Sequence, residues 1–209
     1  MEERGASSMT ETKAPKARYL SDPESESWRK LPWRTFEQHV YRLQKRIFRA
    51  EQRGNQRAVH KLQKRLMKSR AARLLAVRRV TQDNQGKKSA GVDGVKAVKP
   101  AGRRAMAERI HPKYWKQIKA QPVRRVYIPK PGQLEKRPLG IPVMETRAHQ
   151  ARVKLALEPV WEAKFEPNSY GFRPGRCCQD AIAAIYIQIN HKAKYVLDAD
   201  LNGCFDHAS

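Results

Sequence analysis

The chain has 209 residues, of which 44 are Lys or Arg and 20 are Asp or Glu, leaving a formal net charge of +24. Self-repulsion of this size points to a polyanionic partner, nucleic acid first, and away from a small neutral metabolite. No apolar run approaches the roughly 18 residues that span a bilayer, and the opening residues lack a signal peptide's hydrophobic stretch, so a cytoplasmic protein with no membrane partner is expected.

Residues 1–34 read as a disordered polar leader, with Pro15, Pro23 and several serines among charges of both signs and nothing able to build a core. Residues 35–105 read as a basic helical extension and its linker. Val40, Leu43 and Ile47, then Val59, Leu62 and Leu66, recur every three or four positions, as one face of a helix does. Gly54-Asn55 separates the two helices, with Asn55 placed to cap the second. The opposite faces carry Arg42, Lys45, Arg46, Arg49, Lys61, Lys64, Arg65 and Lys68, followed by Arg73, Arg78 and Arg79. Like charges crowded at helical spacing cost stability unless an anion neutralises them, and RNA backbone would do so. In the linker, Gly91-Val92-Asp93-Gly94 reads as a tight turn whose glycine allows positive φ.

Residues 106–194 form the next unit. A short amphipathic helix around Arg103–Ile110 precedes a strand at Val123–Ile128, a turn at Pro129-Lys130-Pro131-Gly132 and a return strand at Arg137–Ile141, a hairpin with basic residues at its tip. The pattern from Met144 to Leu157 fits a helix that Pro159 should kink or end. A loop at Pro167–Arg176 follows. Cys178, Ala181, Ile182, Ile185 and Ile189 then outline another amphipathic helix. Cys177, Cys178 and Cys204 are odd in number and lack C-x-x-C spacing, which argues against a disulfide framework and a zinc site. Residues 195–209 open with a strand, Tyr195–Leu201, that brings Asp198 and Asp200 out on one side.

Three stretches, taken together and in order, carry a resemblance. They are Tyr127-Ile128-Pro129-Lys130-Pro131-Gly132 running to Lys136-Arg137-Pro138-Leu139-Gly140-Ile141-Pro142, then Asn168-Ser169-Tyr170-Gly171-Phe172-Arg173-Pro174-Gly175-Arg176, then Asp198-Ala199-Asp200-Leu201-Asn202-Gly203-Cys204-Phe205-Asp206. They closely resemble the opening blocks of bacterial group II intron reverse transcriptase/maturases, and Ala90-Gly91-Val92-Asp93-Gly94 behind its basic helices resembles that family's N-terminal extension. The resemblance implies an α+β fold: basic N-terminal helices, the fingers, and the first palm strand of a right-hand polymerase, with residues 106–194 as fingers and 195–209 as the start of the palm.

The resemblance also implies roles. Primer extension joins a 3′ oxygen to the α-phosphate of a deoxynucleoside triphosphate, with two Mg²⁺ ions held by carboxylate oxygens. Asp200 is then the catalytic metal ligand, assisted by the Leu201 carbonyl, with Asp198 as a companion on the same side of the strand. Lys130 and Arg137 touch the triphosphate, and Phe205 sits beneath the incoming sugar, where a bulky ring excludes a 2′-hydroxyl. Tyr170, Phe172, Arg173 and Arg176 either grip unpaired template or pack their loop down. The implied partners are intron RNA, or an RNA template with its DNA primer. Asn202 and Ala208 depart from the family's usual Lys and larger apolar residue. A Tyr-x-Asp-Asp block carrying the remaining carboxylates, a thumb and an RNA-splicing segment are expected of the family, and none lies within these 209 residues. The chain alone is therefore expected not to polymerise, leaving RNA binding as the alternative activity. Asp198, Asp200, Asn202, Gly203 and Asp206 also match early positions of a calcium-binding EF-hand loop, but Ser209 stands where that loop needs a bidentate Glu.

Overall fold

The computed structural model describes residues 27–96, 98–117, 121–132, 134 and 136–200. The core begins earlier than the leader reading allows. Trp28 is buried, donates from Nε1 to Gln82 Oε1 at 2.8 Å, and sets its ring edge-on to Trp33 with centroids 5.0 Å apart. An indole carries enough apolar area to anchor a polar stretch, so residues 27–34 join the folded body. The remainder of the expected leader, 1–26, lies outside the described residues.

Helices α1 (Trp33–Gln52) and α2 (Gln56–Lys68) follow the apolar periodicity, burying Val40, Leu43, Ile47 and Ala50 from the first and Val59, Leu62 and Leu66 from the second. Between them Gly54 adopts φ +66°, and the Asn55 side chain accepts the Ala58 N–H at 3.0 Å, the cap its position promised. Ser69 then breaks the chain into a third helix, α3 (Arg70–Arg78), which passes into a wide turn at Arg79–Asp83. Two apolar clusters flank α3. Ala71 and Ala72 meet α1 and α2, while Leu74 and Val77 meet Trp28 and α4 (Pro100–Arg109).

Under both clusters runs α5 (Met144–Lys164), which packs on α1, α2 and α3. Its small buried residues Ala148 and Ala156 let those helices approach closely. Pro159 does not end it. The residue four places back, Leu155, loses its helical donor at a proline, and Gln44 of α1 replaces it, donating from Nε2 to the Leu155 carbonyl at 3.0 Å. Gln63 of α2 donates likewise to the Ala156 carbonyl at 3.1 Å. Gln44 thus supplies what the ring removes.

Strands β1 (Arg124–Pro129) and β2 (Lys136–Ile141) pair antiparallel, with Ile128 opposite Arg137 and Pro129 opposite Lys136. The last helix, α6 (Cys178–Ile189), starts at a cap in which Asp180 accepts the Cys177 N–H at 2.9 Å. Its apolar stripe buries nothing: Ile182, Ile185, Tyr186 and Ile187 all stand exposed. Residues 191–200 follow with no ladder partner, so the expected strand at 195–201 does not form over its described part. A strand is stable only beside another, and the described residues offer none there.

Candidate nucleic-acid interface

Because α1 and α2 turn their apolar stripes inward, the opposite faces are fixed outward. Arg42, Lys45, Arg46 and Arg49 on α1, and Lys61, Lys64, Arg65 and Lys68 on α2, are all exposed. Among the described residues none of these eight has a carboxylate partner within 4 Å. Glu51, near the end of α1, is taken by Lys164 at 3.2 Å and by Gln56. The result is a surface of unneutralised cations on a rigid scaffold, which attracts a polyanion and holds it in a salt-sensitive manner.

Three arginines placed on the same outer face by sequence behave differently. Arg73 points inward, nearly buried, 3.7 Å from Glu108, with Nε and Nη1 lacking a hydrogen-bond partner among the described residues. Arg78 lies over the Trp33 ring at 5.0 Å and pairs with Glu37 at 3.2 Å. Arg79 alone of the three remains exposed. The inward turn of Arg73 follows from its place on α3, which is packed on several sides, and runs of like charge do not reveal it.

The hairpin tip gathers cations as expected. Arg137 stands opposite Ile128, two positions before Lys130; Arg137 is exposed and Lys130 half-buried. Gly132, at φ +71°, closes the turn between them. At the base, Arg124 donates to the Ala90 carbonyl at 2.9 Å, tying the hairpin to the Gly91 turn. That turn is pressed against α5's entry so closely that a Cβ on Gly91 would meet the Val143 Cα at 2.7 Å. Gly94 supplies the positive φ, +68°, and Asp93 Oδ1 accepts the Val95 N–H.

In the 167–176 loop the four candidate residues separate. Arg173 is buried: its Nη2 and Nε grip Glu162 at 2.7 and 3.1 Å, and Nη1 donates to the carbonyls of Glu166 and Ser169, both at 2.6 Å. Those bonds hold the Glu162 carboxyl below its ordinary range. Arg173 is therefore the loop's internal anchor, since a guanidinium so fully committed has no fork to offer a template. Arg176 is exposed and stacks over the Tyr170 ring at 5.7 Å. Phe172 stands entirely in solvent at φ +57°, a left-handed conformation that a bulky residue adopts only under strain. Beside it an open apolar pocket of about 610 Å³ is lined by Leu157, Trp161, Phe165, Phe172 and Pro174.

Asp198 and Asp200 lie exposed in the segment after α6. Leu201 and Phe205, the expected metal-ligating carbonyl and sugar-contacting ring, lie outside the described residues, as do the later positions of the EF-hand comparison.

Sequence comparison places this arrangement. The profile for the N-terminal domain of reverse transcriptase matches residues 28–110, and that for reverse transcriptase (RNA-dependent DNA polymerase) matches residues 128–209. The group II intron-encoded protein LtrA of Lactococcus lactis subsp. cremoris is 41% identical over 87 residues, 42% of this chain and 14% of LtrA. Maturase-like protein 1 of Euglena gracilis is 30% identical over 176 residues, 81% of this chain and 38% of that protein. The chain belongs to the group II intron reverse transcriptase/maturase family. Protein YkfC of Escherichia coli K12 is a further relative, 38% identical over 135 residues, 61% of this chain. The chain spans 35% of YkfC's length, so it corresponds to a portion of such relatives.

No group of three His, Cys, Asp or Glu side chains among the described residues is placed to hold a cation. Asp198 and Asp200 contribute two exposed carboxylates on a segment outside the described sheet, too few by themselves for a two-ion centre. Nor is any helix among the described residues long and apolar enough to cross a membrane.

Sequence reasoning missed Arg147. From α5 its Nε donates to the Pro142 carbonyl at 2.8 Å, while Nη1 and Nη2 reach the Gly86 and Ser89 carbonyls at 2.7 Å. It thereby fixes the connector on which the hairpin base rests. One more arginine in a basic chain gives no signal of this role.

Proposed function

We propose that this chain serves its family's chemistry by binding RNA through the exposed faces of α1 and α2, and that it does not extend a primer by itself. The observation that carries the reading is the set of eight exposed cations on two packed helices without a carboxylate partner among the described residues. Contacts of this type track a phosphate backbone and give little base specificity. The RNA is an intron or a template paired to a DNA primer. Lys130 and Arg137 at the hairpin tip are suited to the triphosphate of a deoxynucleotide, with Phe205 beneath its sugar. Asp200 and the Leu201 carbonyl supply part of a Mg²⁺ site that needs further carboxylates. Residues 35–105 then act as the RNA-binding extension, 106–194 as fingers and 195–209 as the start of a palm.

The test replaces Arg42, Arg46, Arg49 and Lys64 by Gln and measures binding of a structured RNA by gel shift beside primer extension in Mg²⁺. RNA affinity should fall by at least about tenfold, since every cation taken from the face reduces the number of counterions that the phosphate backbone releases on binding, and the unaltered chain should give no extension product. Undiminished RNA binding, or synthesis by the isolated chain, contradicts the reading.

A further inference from the structure

With no residue of α1 or α2 in its lining, a second basic concavity of about 580 Å³ opens between the wide turn after α3 and helix α4. It is lined by Thr81, Gln82, Lys87, Lys88, Lys96 and Arg103, four cations with no carboxylate in the wall. Asp83, the acidic residue nearest in sequence, is drawn off by Arg78 at 3.7 Å. Lys87 is held in place by donating to the Gln82 carbonyl, and Thr81 by donating to the Val77 carbonyl at 2.7 Å. Arg103 lies over the Trp28 ring at 6.0 Å, and its Nε is buried without a hydrogen-bond partner among the described residues. A buried donor left unsatisfied costs free energy, and this guanidinium is held at the wall by packing on Trp28 and not by a carboxylate. Burial also lowers the pKa of this guanidinium, with no carboxylate nearby to offset it.

We propose that this pocket is a phosphate-binding site that takes a phosphoryl group of bound RNA, with Arg103 and Lys96 as its principal donors and Lys88 at its rim. Its volume lies within the roughly 300–1,000 Å³ of small-ligand sites, enough for a phosphate with its sugar attached. The wall residues lie in the turn after α3, the connector and α4, so the site adds a contact to RNA beyond those of α1 and α2. The proposal rests on the RNA-binding reading for the source of the phosphate, and on the pocket alone for its chemistry.

The experiment uses the whole 209-residue chain with two probes, a 3′-labelled RNA of about 12 nucleotides followed by anisotropy and inorganic tripolyphosphate followed by calorimetry. The variants are K88Q/K96Q, R103Q and R103K, with circular dichroism to show that each folds; R103K retains the charge if the Trp28 stacking matters for folding. K88Q/K96Q should weaken RNA binding about tenfold and lower the salt slope by about 1–2, while abolishing saturable tripolyphosphate binding. Loss of tripolyphosphate binding with RNA affinity unchanged supports the pocket and names a free oligophosphate as its ligand. If neither probe responds to K88Q/K96Q or R103Q, the site does not exist. The Gln replacements on α1 and α2 should leave tripolyphosphate binding intact, so failure of that interface is separable from failure of the pocket.

Discussion

Helices α1 and α6 carry the same kind of apolar stripe and meet opposite fates. In α1, Leu43 and Ile47 are enclosed by α2, α3 and α5; in α6, Ile182 and Ile185 are more than half exposed. Periodicity dictates that both are helices, but burial depends on what the rest of the chain sets beside them. The region that carries the exposed cations of α1 and α2 is self-supporting. The region that leads to Asp198 and Asp200 has no core of its own among the described residues, so the two regions differ in how far they stand alone.

The largest effect separates those halves. Ile47→Ala should cost about 2–5 kcal/mol in denaturant unfolding, whereas Ile185→Ala should stay within about 0.5 kcal/mol; equal costs would show that α6 is packed in solution. Next is Phe172→Gly, which relieves a left-handed backbone and removes an exposed ring. Thermal stability should hold or rise while affinity for single-stranded RNA falls by about 1–3 kcal/mol if bases stack there. A loss of stability would instead mean that the ring packs its own loop.

A smaller effect tests the proline in α5. Gln44→Ala should cost about 1 kcal/mol by orphaning the Leu155 carbonyl, and clearly less in a Pro159→Ala background, where the helix regains its own donor. Identical costs in both backgrounds would remove Gln44 from that role. The smallest is acid sensitivity of the 167–176 loop. Glu162 titrates below its ordinary value because Arg173 bonds its charged form, so the stabilisation is complete above the unfolded carboxylate's pKa and is lost as pH falls through the folded one. Proteolytic cleavage in the loop should therefore rise at acid pH, and Glu162→Gln should be cleaved readily at neutral pH as well.

Much of the helical body was legible in the residues. The α1 and α2 stripes, the Gly54-Asn55 break with its cap, and the hairpin within one residue at each strand all follow from local rules. What escaped depends on tertiary surroundings. Trp28 belongs to a stretch whose composition reads as solvated, and only Gln82 and Trp33 reveal its burial. Pro159 is a reliable helix breaker until Gln44 satisfies the carbonyl it strands. Arg73, Arg147 and Arg173 are spelled like the cations that face solvent, yet Arg73 is buried beside Glu108, and Arg147 and Arg173 are committed to carbonyls or a carboxylate of the fold. Arg152 is the extreme case: wholly buried and donating to the Ile110 carbonyl, with its pKa pushed down to about 10 by burial and by Arg73, it carries no mark of that role in the sequence.

The most direct test of RNA binding as this chain's own activity is the dependence of RNA affinity on salt concentration, measured side by side for the unaltered chain and Asp200→Ala. Steep slopes that coincide for the two proteins are predicted, because the proposed contacts come from the helices and not from the carboxylate. A shallow slope, or binding abolished by Asp200→Ala, would contradict it.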